Sequence, residues 1–301
     1  STIILYKFLS EKGVECTYFI PERIQDGYGL SAGALERFAG EFSLIITVDT
    51  GITAIEEAKL AKRLGIDMVI TDHHRYGDEI PDAVAVVNPH RPDCSYPFKN
   101  LAGVGVVFKL ICALSGENGV DSVLKKFGDI VAIGTIADVM PIIDENRYIS
   151  AYGLELLKNT KNVGLKALME ASGVYKDGYP AKKLNSTVVG YVIAPRINAA
   201  GRITSAHRAA ELLLSEERAE AEKIASELCE INKRRQALEM EMFAEALKQI
   251  EEECKGDRVL VLCSDGWHQG VIGVVASKIT EKYSLPSILI SFDGDLGKGS
   301  G

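Results

Sequence analysis

Two apolar runs in the first third of the chain are each followed by side chains that can bind metal ions. Asp49 follows residues 43–48, and the triplet Asp72-His73-His74 closely follows residues 68–70. Residues 53–64, between the runs, have a helical composition, so the pattern predicts a strand–helix–strand unit. The carboxyl ends of parallel strands are neighbours at one edge of a sheet and face the ligand crevice. Carboxylates and imidazoles gathered there are typical of a divalent-metal site.

Each of these residues also has a simpler interpretation. An aspartate after a strand, such as Asp49, is often the N-cap of the next helix, and two adjacent histidines on a polar turn can be merely solvent-exposed. Their combination favours metal binding. Asp138 lies in an apolar context, where an unpaired carboxylate is costly, so it is either a further ligand or a hydrogen-bonded structural residue. No acid or strand end accompanies His90 and His207, which are expected to be structural or surface residues.

Two later segments contain groups suited to phosphate. Arg196, Asn198 and Arg202 form a predicted cationic turn with Gly201, in a segment interpreted as loop-rich. Two guanidiniums beside an amide suit bidentate phosphate recognition; the alternative is a solvated loop. His268 lies between glycines just before a predicted helix, whose N-terminus favours anions. The alternative there is a tryptophan packed at a domain interface beside an incidental histidine.

The composition limits the class of protein. With 301 residues and a net charge of −8, the chain has room for one large or two ordinary domains. It is not a wholly basic nucleic-acid binder, although a local basic patch remains open. Its six scattered cysteines indicate the reduced thiols of a cytoplasmic protein rather than a disulfide framework. The longest apolar stretch, residues 101–114, is too short to span a membrane, and no signal peptide is visible.

Alternating helix and strand patterns predict an α/β fold with a doubly wound, mostly parallel sheet in the first part. Residues 15–20 are expected to form a further strand. Residues 129–143 fit either a strand or a buried helix, and helix is favoured. A later long helix has one narrow apolar stripe, which indicates a connector between domains. We therefore predict a first domain over residues 1–204, a connector helix over 205–255 and the start of a smaller second α/β domain over 256–301.

The ordered set of motifs resembles the DHH phosphoesterase superfamily along nearly the whole chain. The matching segments are Val48-Asp49-Thr50-Gly51, Asp72-His73-His74, residues 134–141, residues 196–202 and Gly266-Trp267-His268-Gln269-Gly270. The resemblance implies a DHH domain, joined by the connector helix to an incomplete DHHA1 domain. It further implies two divalent cations, Mn²⁺ or Mg²⁺, in the crevice of the first domain.

The resemblance also implies a role for each candidate residue. Asp72 would orient the histidines, and His74 would lie near the scissile phosphate. The metal ligands would be Asp49, which bridges both cations, together with His73 and Asp138. The residues that contact nucleic-acid phosphates would be Arg196, Asn198, Arg202, His268 and Ser300.

The implied activity is stepwise hydrolysis of single-stranded DNA from its 5′ end to 5′-mononucleotides, in DNA repair and recombination. Single-stranded DNA is thus the expected partner of a cytoplasmic monomer, with a single-strand-binding protein as a further candidate. Rival hypotheses are a pyrophosphatase or a phosphodiesterase for short oligonucleotides or cyclic dinucleotides; Gly266-Trp267-His268 and the long helix favour DNA. A non-catalytic replication scaffold is disfavoured, because such relatives tend to lose metal ligands.

The chain departs from the superfamily pattern at both ends. The pair of aspartates that forms the first motif, and supplies metal ligands, does not precede the helix predicted over residues 2–11. At the other end, the loop at residues 297–301 normally continues. The chain is therefore expected to be a fragment of a catalytic core that binds metal poorly and is inactive or impaired.

Overall fold

The first sheet contains three parallel strands in chain order: β1 (Leu44–Val48), β2 (Asp67–Thr71) and β3 (Ala85–Val87). The last residue of each strand pairs with the last residue of its neighbour. All three strands therefore end at one edge of the sheet, where the candidate metal ligands follow. The expected α/β fold with a parallel sheet is confirmed.

Helices make up most of the remaining structure. The computed structural model describes residues 1–22, 29–117, 119–176, 179–181, 183–254 and 256–301. The helices are α1 (Thr2–Glu11), α2 (Ala32–Phe38), α3 (Ile55–Arg63), α4 (Gly103–Leu114), α5 (Gly119–Ala137), α6 (Asp144–Lys158), α7 (Val163–Ala171), α8 (Ser186–Val188), α9 (Ala194–Ile203), α10 (His207–Leu214), α11 (Arg218–Glu253) and α12 (Ile272–Tyr283). A π-helical turn, Val189–Ile193, joins α8 to α9. An antiparallel pair is formed by β4 (Tyr175–Lys176) and β5 (Tyr179–Pro180).

The crossover between the first two strands is the predicted helix, α3. Its first turn contains Glu56 and Glu57, and its last turn contains Lys62 and Arg63. These charges lie at the helix ends where the backbone dipole favours them. The apolar face of α3 packs with α2 against Ile70 of β2, which fixes the helix on the sheet.

Helix α5 settles the ambiguous segment at residues 129–143. It continues to Ala137, so the preference for helix is confirmed for residues 129–137. Residues 138–143 lie beyond the helix, and Asp138 is the first of them. Residues 127–133 are all buried. A helix that is buried on every side has no polar face, which explains why periodicity could not identify it.

The strand expected at residues 15–20 is wrong. These residues form no strand, because their aromatic side chains pack against helices instead of pairing with a sheet edge. Tyr18 contacts Tyr6 with ring centroids 5.1 Å apart, and Phe19 contacts Phe38 at 5.3 Å. The segment is anchored by its side chains.

The loop expected at residues 180–201 is also wrong, since most of its second half is helical. Asn185 caps α8 by accepting a hydrogen bond from the N–H of Val188, at 2.9 Å. Pro195 directly follows the π-helical turn Val189–Ile193, where the regular α-helical hydrogen-bond pattern is already interrupted. The cap at Asn185 starts a helical run that continues through the π-helical turn into α9.

The second sheet combines both strand directions. β6 (Leu260–Ser264) runs parallel to β7 (Ser287–Asp293), and β8 (Leu296–Ser300) pairs antiparallel with β7. Its core includes apolar residues of α11, α12 and the sheet, together with Trp267. These elements match the strand–helix–strand start of a second α/β region predicted from the sequence.

The chain divides into two compact units. Unit 1 comprises Ser1–Pro195 and His207–Ala225, and unit 2 comprises Arg196–Ala206 and Ser226–Gly301. Within the part of the chain that the structure describes, no helix has the length and apolar character needed to cross a membrane.

The packing of α6 on α5 is predicted to require Gly153. A Cβ at this position would overlap the carbonyl oxygen of Gly128 and the Cβ of Ala132, neither of which can rotate away. We expect Gly153→Ala to lower the free energy of unfolding by about 1–3 kcal/mol in urea denaturation. Gly33→Ala in α2 is the matched control, because its methyl group meets no atom within 4 Å. Equal effects of the two substitutions would contradict the prediction.

Candidate metal centre

Asp49 follows β1 in a backbone conformation that aspartate seldom adopts. Its φ is 64°, in the left-handed region, which costs on the order of 1 kcal/mol or more. Its N–H donates to the carbonyl oxygen of Thr71 at 2.8 Å, which extends the strand ladder. Gly51, with a φ of 108°, lies so close to Thr47 that a Cβ would be 2.6 Å from Oγ1. The chain thus turns sharply and leaves the Asp49 carboxylate at the sheet edge.

Asp72 is the buried carboxylate of the site, with 1% of its surface exposed. Its Oδ1 accepts a hydrogen bond from the backbone N–H of His74 at 3.2 Å and lies 2.7 Å from Nδ1 of the same residue. Its Oδ2 accepts from the N–H of Ile52 at 2.9 Å. Asp72 therefore orients the His74 ring and joins the turn after β1 to the end of β2.

The imidazole of His73 lies between two other carboxylates. Its Nε2 is 3.1 Å from Oδ1 of Asp49 and 3.4 Å from Oδ2 of Asp138. Neither approach is aligned as a hydrogen bond, so this buried nitrogen has no hydrogen-bond partner among the described residues. Buried polar atoms are rarely left unsatisfied. A nitrogen in these surroundings, beside two carboxylate oxygens, fits a divalent cation as its partner.

The titration of the cluster follows from its crowding. Burial opposes a charge on His73, but Asp49, Asp138 and Asp72 outweigh it and raise the pKa of His73 above its usual value. Burial also opposes a charge on Asp49, yet its interactions with His73 lower its pKa overall. Burial raises the pKa of Asp138, reinforced by Asp49 and opposed by the histidines. The proton on one group therefore depends on the others.

The structure brings together all five residues predicted for this centre. Asp49, His73 and His74 each offer a ligand atom, and these atoms lie within 4.8 Å of one another. Asp138 adds a carboxylate beside His73, and Asp72 lies behind His74. The arrangement can bind a cation through oxygen and nitrogen while its partly exposed edge remains open to a ligand.

Asn146 holds the loop that contains Asp138. The side chain of Asn146 is fully buried, and its Nδ2 donates to the carbonyl oxygens of Pro141 at 3.0 Å and Asn100 at 2.6 Å. One amide thus ties the loop after α5 to the segment before α4. Sequence reasoning missed Asn146, because a single asparagine in a helix gives no signal of such a tie.

Asn88, which follows β3, was also missed. Its Nδ2 donates to the carbonyl oxygen of His74 at 2.9 Å, and its Oδ1 accepts from the N–H of His90 at 2.8 Å. Its place at a third parallel strand end was an available signal.

Burial and nearby cations lower the pKa of His90. His207 packs against the ring of Tyr18, with centroids 6.0 Å apart.

Arg196, Asn198 and Arg202 lie on helix α9, so the predicted cationic turn is wrong. Residues of an α-helix are about 100° apart around its axis. Asn198 and Arg202, four positions apart, therefore share a face, whereas Arg196 lies about 120° away from Arg202. The Nε of Arg196 donates to Sγ of Cys229 at 3.3 Å. The three predicted residues thus lie on one helix but do not share one face.

His268 lies just before α12 and is held by its own turn. Its Nδ1 accepts from the N–H of Gly270 at 3.1 Å, and its carbonyl oxygen accepts from the N–H of Val271 at 2.8 Å. Burial, together with Arg234, lowers the pKa of His268, which favours the neutral ring. The adjacent Trp267 is 4% exposed and belongs to the core of the same unit.

A pocket of about 420 Å³ lies beside α12 in unit 2. Its lining residues are Arg202, Gly273, Val274, Ser277, Lys278 and Glu281. The guanidinium of Arg202 is 3.5 Å from the carbonyl oxygen of Gly270, and a Cβ at Gly273 would lie 2.8 Å from Oγ of Ser300. Arg202, His268 and Ser300 are thus grouped around the start of α12. Ser277 and Lys278, which lie one turn further along this helix, also line the pocket.

The first part of the chain matches a known family. Residues 1–135 match the DHH family, N-terminal domain. The single-stranded-DNA-specific exonuclease RecJ of Bacillus subtilis (strain 168) is 44% identical, over 100% of this chain and 37% of that protein. The RecJ protein of Escherichia coli (strain K12) is 38% identical, over 94% of this chain and 51% of that protein.

Solved structures show the same likeness. A crystal structure of exonuclease RecJ bound to manganese has a TM-score of 0.84 and 35% identity, covering 96% of this chain and 71% of that one. RecJ from Thermus thermophilus in complex with Mn²⁺ has a TM-score of 0.82 and 34% identity, covering 96% of this chain and 41% of that one. The chain therefore belongs to the DHH family and, within it, to the RecJ group. It spans only 37% and 51% of the two curated relatives above.

The stability of the metal-free protein is predicted to depend on pH through His73. Because the folded-state pKa is raised, His73 stabilises the fold fully below the unfolded-state pKa of about 6.5. This contribution is lost as the pH rises through the raised folded-state value. Urea denaturation in EDTA between about pH 5 and 9 should show the loss, and His73→Asn should flatten it. A slope that the substitution leaves unchanged would assign the pH dependence to other groups.

Asp72→Asn tests the link between the strand ends. An amide of the same shape can accept hydrogen bonds at only one of its two polar atoms, so an N–H of Ile52 or His74 loses its partner. We expect the free energy of unfolding to fall by about 1–3 kcal/mol, measured by chemical denaturation. Asp67→Asn is the control, because Asp67 is exposed at the start of the same strand. A similar loss at both positions would argue against a special role for Asp72.

Proposed function

We propose that this chain is the catalytic part of a metal-dependent exonuclease that hydrolyses single-stranded DNA from its 5′ end to 5′-mononucleotides, in DNA repair and recombination. The observation that carries the proposal is the buried Nε2 of His73, which lies beside the carboxylates of Asp49 and Asp138. Relatives named as single-stranded-DNA-specific exonucleases support the substrate. Related structures that contain Mn²⁺ or Mg²⁺ support the cofactor.

The proposed ligands of two Mn²⁺ or Mg²⁺ ions are Asp49, which would bridge them, His73 and Asp138. Carboxylate oxygens suit both ions, and the imidazole nitrogen suits a transition metal such as Mn²⁺ better than Mg²⁺. When bound, the cations would acidify a water molecule into a nucleophile at neutral pH and offset the negative charge of the phosphodiester. The chain itself supplies the fixed positions of these three side chains at the sheet edge.

His74 is proposed to hold the scissile phosphate, with Asp72 behind it. Because Nδ1 of His74 lies 2.7 Å from Oδ1 of Asp72, Nε2 is the nitrogen left for a phosphate oxygen. The His74 side chain is 49% exposed, whereas that of Asp72 is 1% exposed. A buried partner thus orients a ring that remains accessible to a ligand, which is the arrangement that substrate positioning requires.

Unit 2 is proposed to bind the DNA backbone. Arg202, His268 and Ser300 surround the start of α12, where a helix N-terminus adds partial positive charge. Arg196 and Asn198 are proposed as further contacts on α9. Contacts of this kind neutralise phosphates without reading bases, so binding should weaken as salt increases.

The proposal extends to the organisation of the protein. We infer a DHH domain, a connector helix and the start of a DHHA1 domain, in a cytoplasmic monomer that meets a single-strand-binding protein on its substrate. All six cysteines are free thiols, which agrees with a reducing compartment.

The proposed activity predicts a defined cleavage pattern. The full natural protein that contains these residues is incubated with Mn²⁺ and a single-stranded oligonucleotide labelled at its 3′ end. We expect products that shorten from the 5′ end, with a rate lowered about 100-fold or more by His73→Ala, because a metal ligand is lost. His207→Ala is the control, since this histidine lies outside the cluster.

Two other outcomes would contradict the exonuclease proposal. Hydrolysis of pyrophosphate, short oligonucleotides or cyclic dinucleotides, without degradation of long DNA, would keep the metal centre and replace the substrate. No turnover of any of these compounds, together with no bound Mn²⁺, would indicate a non-catalytic scaffold.

A further inference from the structure

The start of helix α4 lies directly against Asp49. The first residue of this helix is Gly103, which is buried. A Cβ on Gly103 would lie 2.6 Å from the Cβ of Asp49, and closer still to its carboxylate carbon and Oδ1. Three bonded atoms of one side chain are involved, so rotation of the carboxylate does not open the space. A methyl group at position 103 requires either Asp49 or α4 to move.

Neither partner is free to move. The N–H of Asp49 is bonded to the carbonyl oxygen of Thr71 at 2.8 Å, so displacing its backbone would disturb the β1–β2 ladder. Helix α4 is held just as tightly by α5, because a Cβ on Gly134 would lie 2.7 Å from Cγ1 of Val104. The contact between Gly103 and Asp49 is therefore enclosed by packed elements on both sides.

The electrostatics of this helix end also favour the contact. Ala102, the N-cap residue, provides no side-chain hydrogen bond, and the first turn of α4 contains no acidic residue. The N–H groups at a helix N-terminus lack helical partners and carry partial positive charge, which stabilises a nearby carboxylate. The carboxylate of Asp49, which directly follows β1, lies at this helix end and is stabilised by these N–H groups.

We propose that Gly103 is a positioning residue for Asp49. Its missing side chain lets the start of α4 rest against the carboxylate and keeps Oδ1 facing Nε2 of His73, from which that oxygen is 3.1 Å away. Gly103 itself takes no part in the chemistry. The functional consequence rests on the proposed metal role of Asp49, whereas the contact itself can be tested without metal.

A double-mutant cycle in the metal-free protein tests the contact. Gly103→Ala should lower Tm by about 3–8 °C. In an Asp49→Gly background, which removes the three obstructing atoms, the same substitution should cost nothing. Gly105→Ala is the matched control in the same helical turn, because the three atoms nearest to a Cβ there all belong to the side chain of Leu101, the closest at 3.2 Å. This control should lower Tm by clearly less than Gly103→Ala, because its closest contact is at 3.2 Å, whereas that of a Cβ on Gly103 is with Oδ1 of Asp49 and far shorter, and because alanine is the better helix former.

The cycle can fail in two ways. An equal loss of Tm in both backgrounds would show that position 103 packs against something other than Asp49, and the proposal would be overturned. No loss in either background would overturn it as well.

A Mn²⁺ titration of the full natural protein, followed by the EPR signal of the free ion, measures the functional consequence. Gly103→Ala should weaken Mn²⁺ binding about tenfold or more, and Gly105→Ala should stay within about twofold of the unmodified protein. Unchanged Mn²⁺ affinity in Gly103→Ala, despite a lower Tm, would overturn the positioning role. If the unmodified protein binds no Mn²⁺, the proposed metal role of Asp49 fails, and the melting cycle still decides whether Gly103 positions that side chain.

Discussion

The charge of a buried carboxylate must be compensated, and Asp72 is compensated by two strand ends at once. One oxygen accepts the N–H of Ile52, beyond β1, and the other accepts the N–H groups of His73 and His74, beyond β2. An uncompensated charge at this depth would cost several kcal/mol. The two turns therefore cannot separate without a large penalty, and the relative positions of Asp49 and the histidines depend on this link. The same bonds that stabilise the sheet edge thus fix the geometry of the candidate metal centre.

At this sheet edge, two carboxylates lie beside a single imidazole, and their mutual repulsion is not fully compensated by protein groups alone. Asp49 and Asp138 flank one imidazole, and their pKa values are shifted in opposite directions, so the two carboxylates do not share equally in its compensation. In the metal-free protein, a proton on His73 reduces the repulsion. A divalent cation would replace that proton with a larger charge, which links cation binding to proton release. The left-handed backbone of Asp49 is a local energetic cost. The close approach of Gly103 keeps the Asp49 side chain in this arrangement.

The sequence predicted which residues lie together at this sheet edge better than the contacts that hold them there. Acids and histidines at the ends of apolar runs are local signals, and the structure brings Asp49, His73 and Asp138 together as predicted. Asn88 offered a similar signal, its place directly after β3. Gly103 and Asn146 give no such signal, because each acts through a contact between elements distant in the sequence. The same reason explains the local errors. Residues 15–20 form no strand because their aromatic side chains pack against helices, which a local strand pattern does not show. The capping of α8 is a side-chain effect that a loop pattern does not show.

The helical conformation of α9 changes what its two arginines can recognise. Arg196 and Arg202 are separated by about 9 Å along the helix axis as well as by about 120° around it, so their side chains leave the helix at different heights and in different directions. Two cations at this spacing suit a backbone whose successive phosphates pass along the helix. A short dinucleotide offers few phosphates to such a surface, whereas a polymer offers many. Within the proposed function, the separation of the two arginines on α9 thus agrees with contacts to more than one phosphate of a strand.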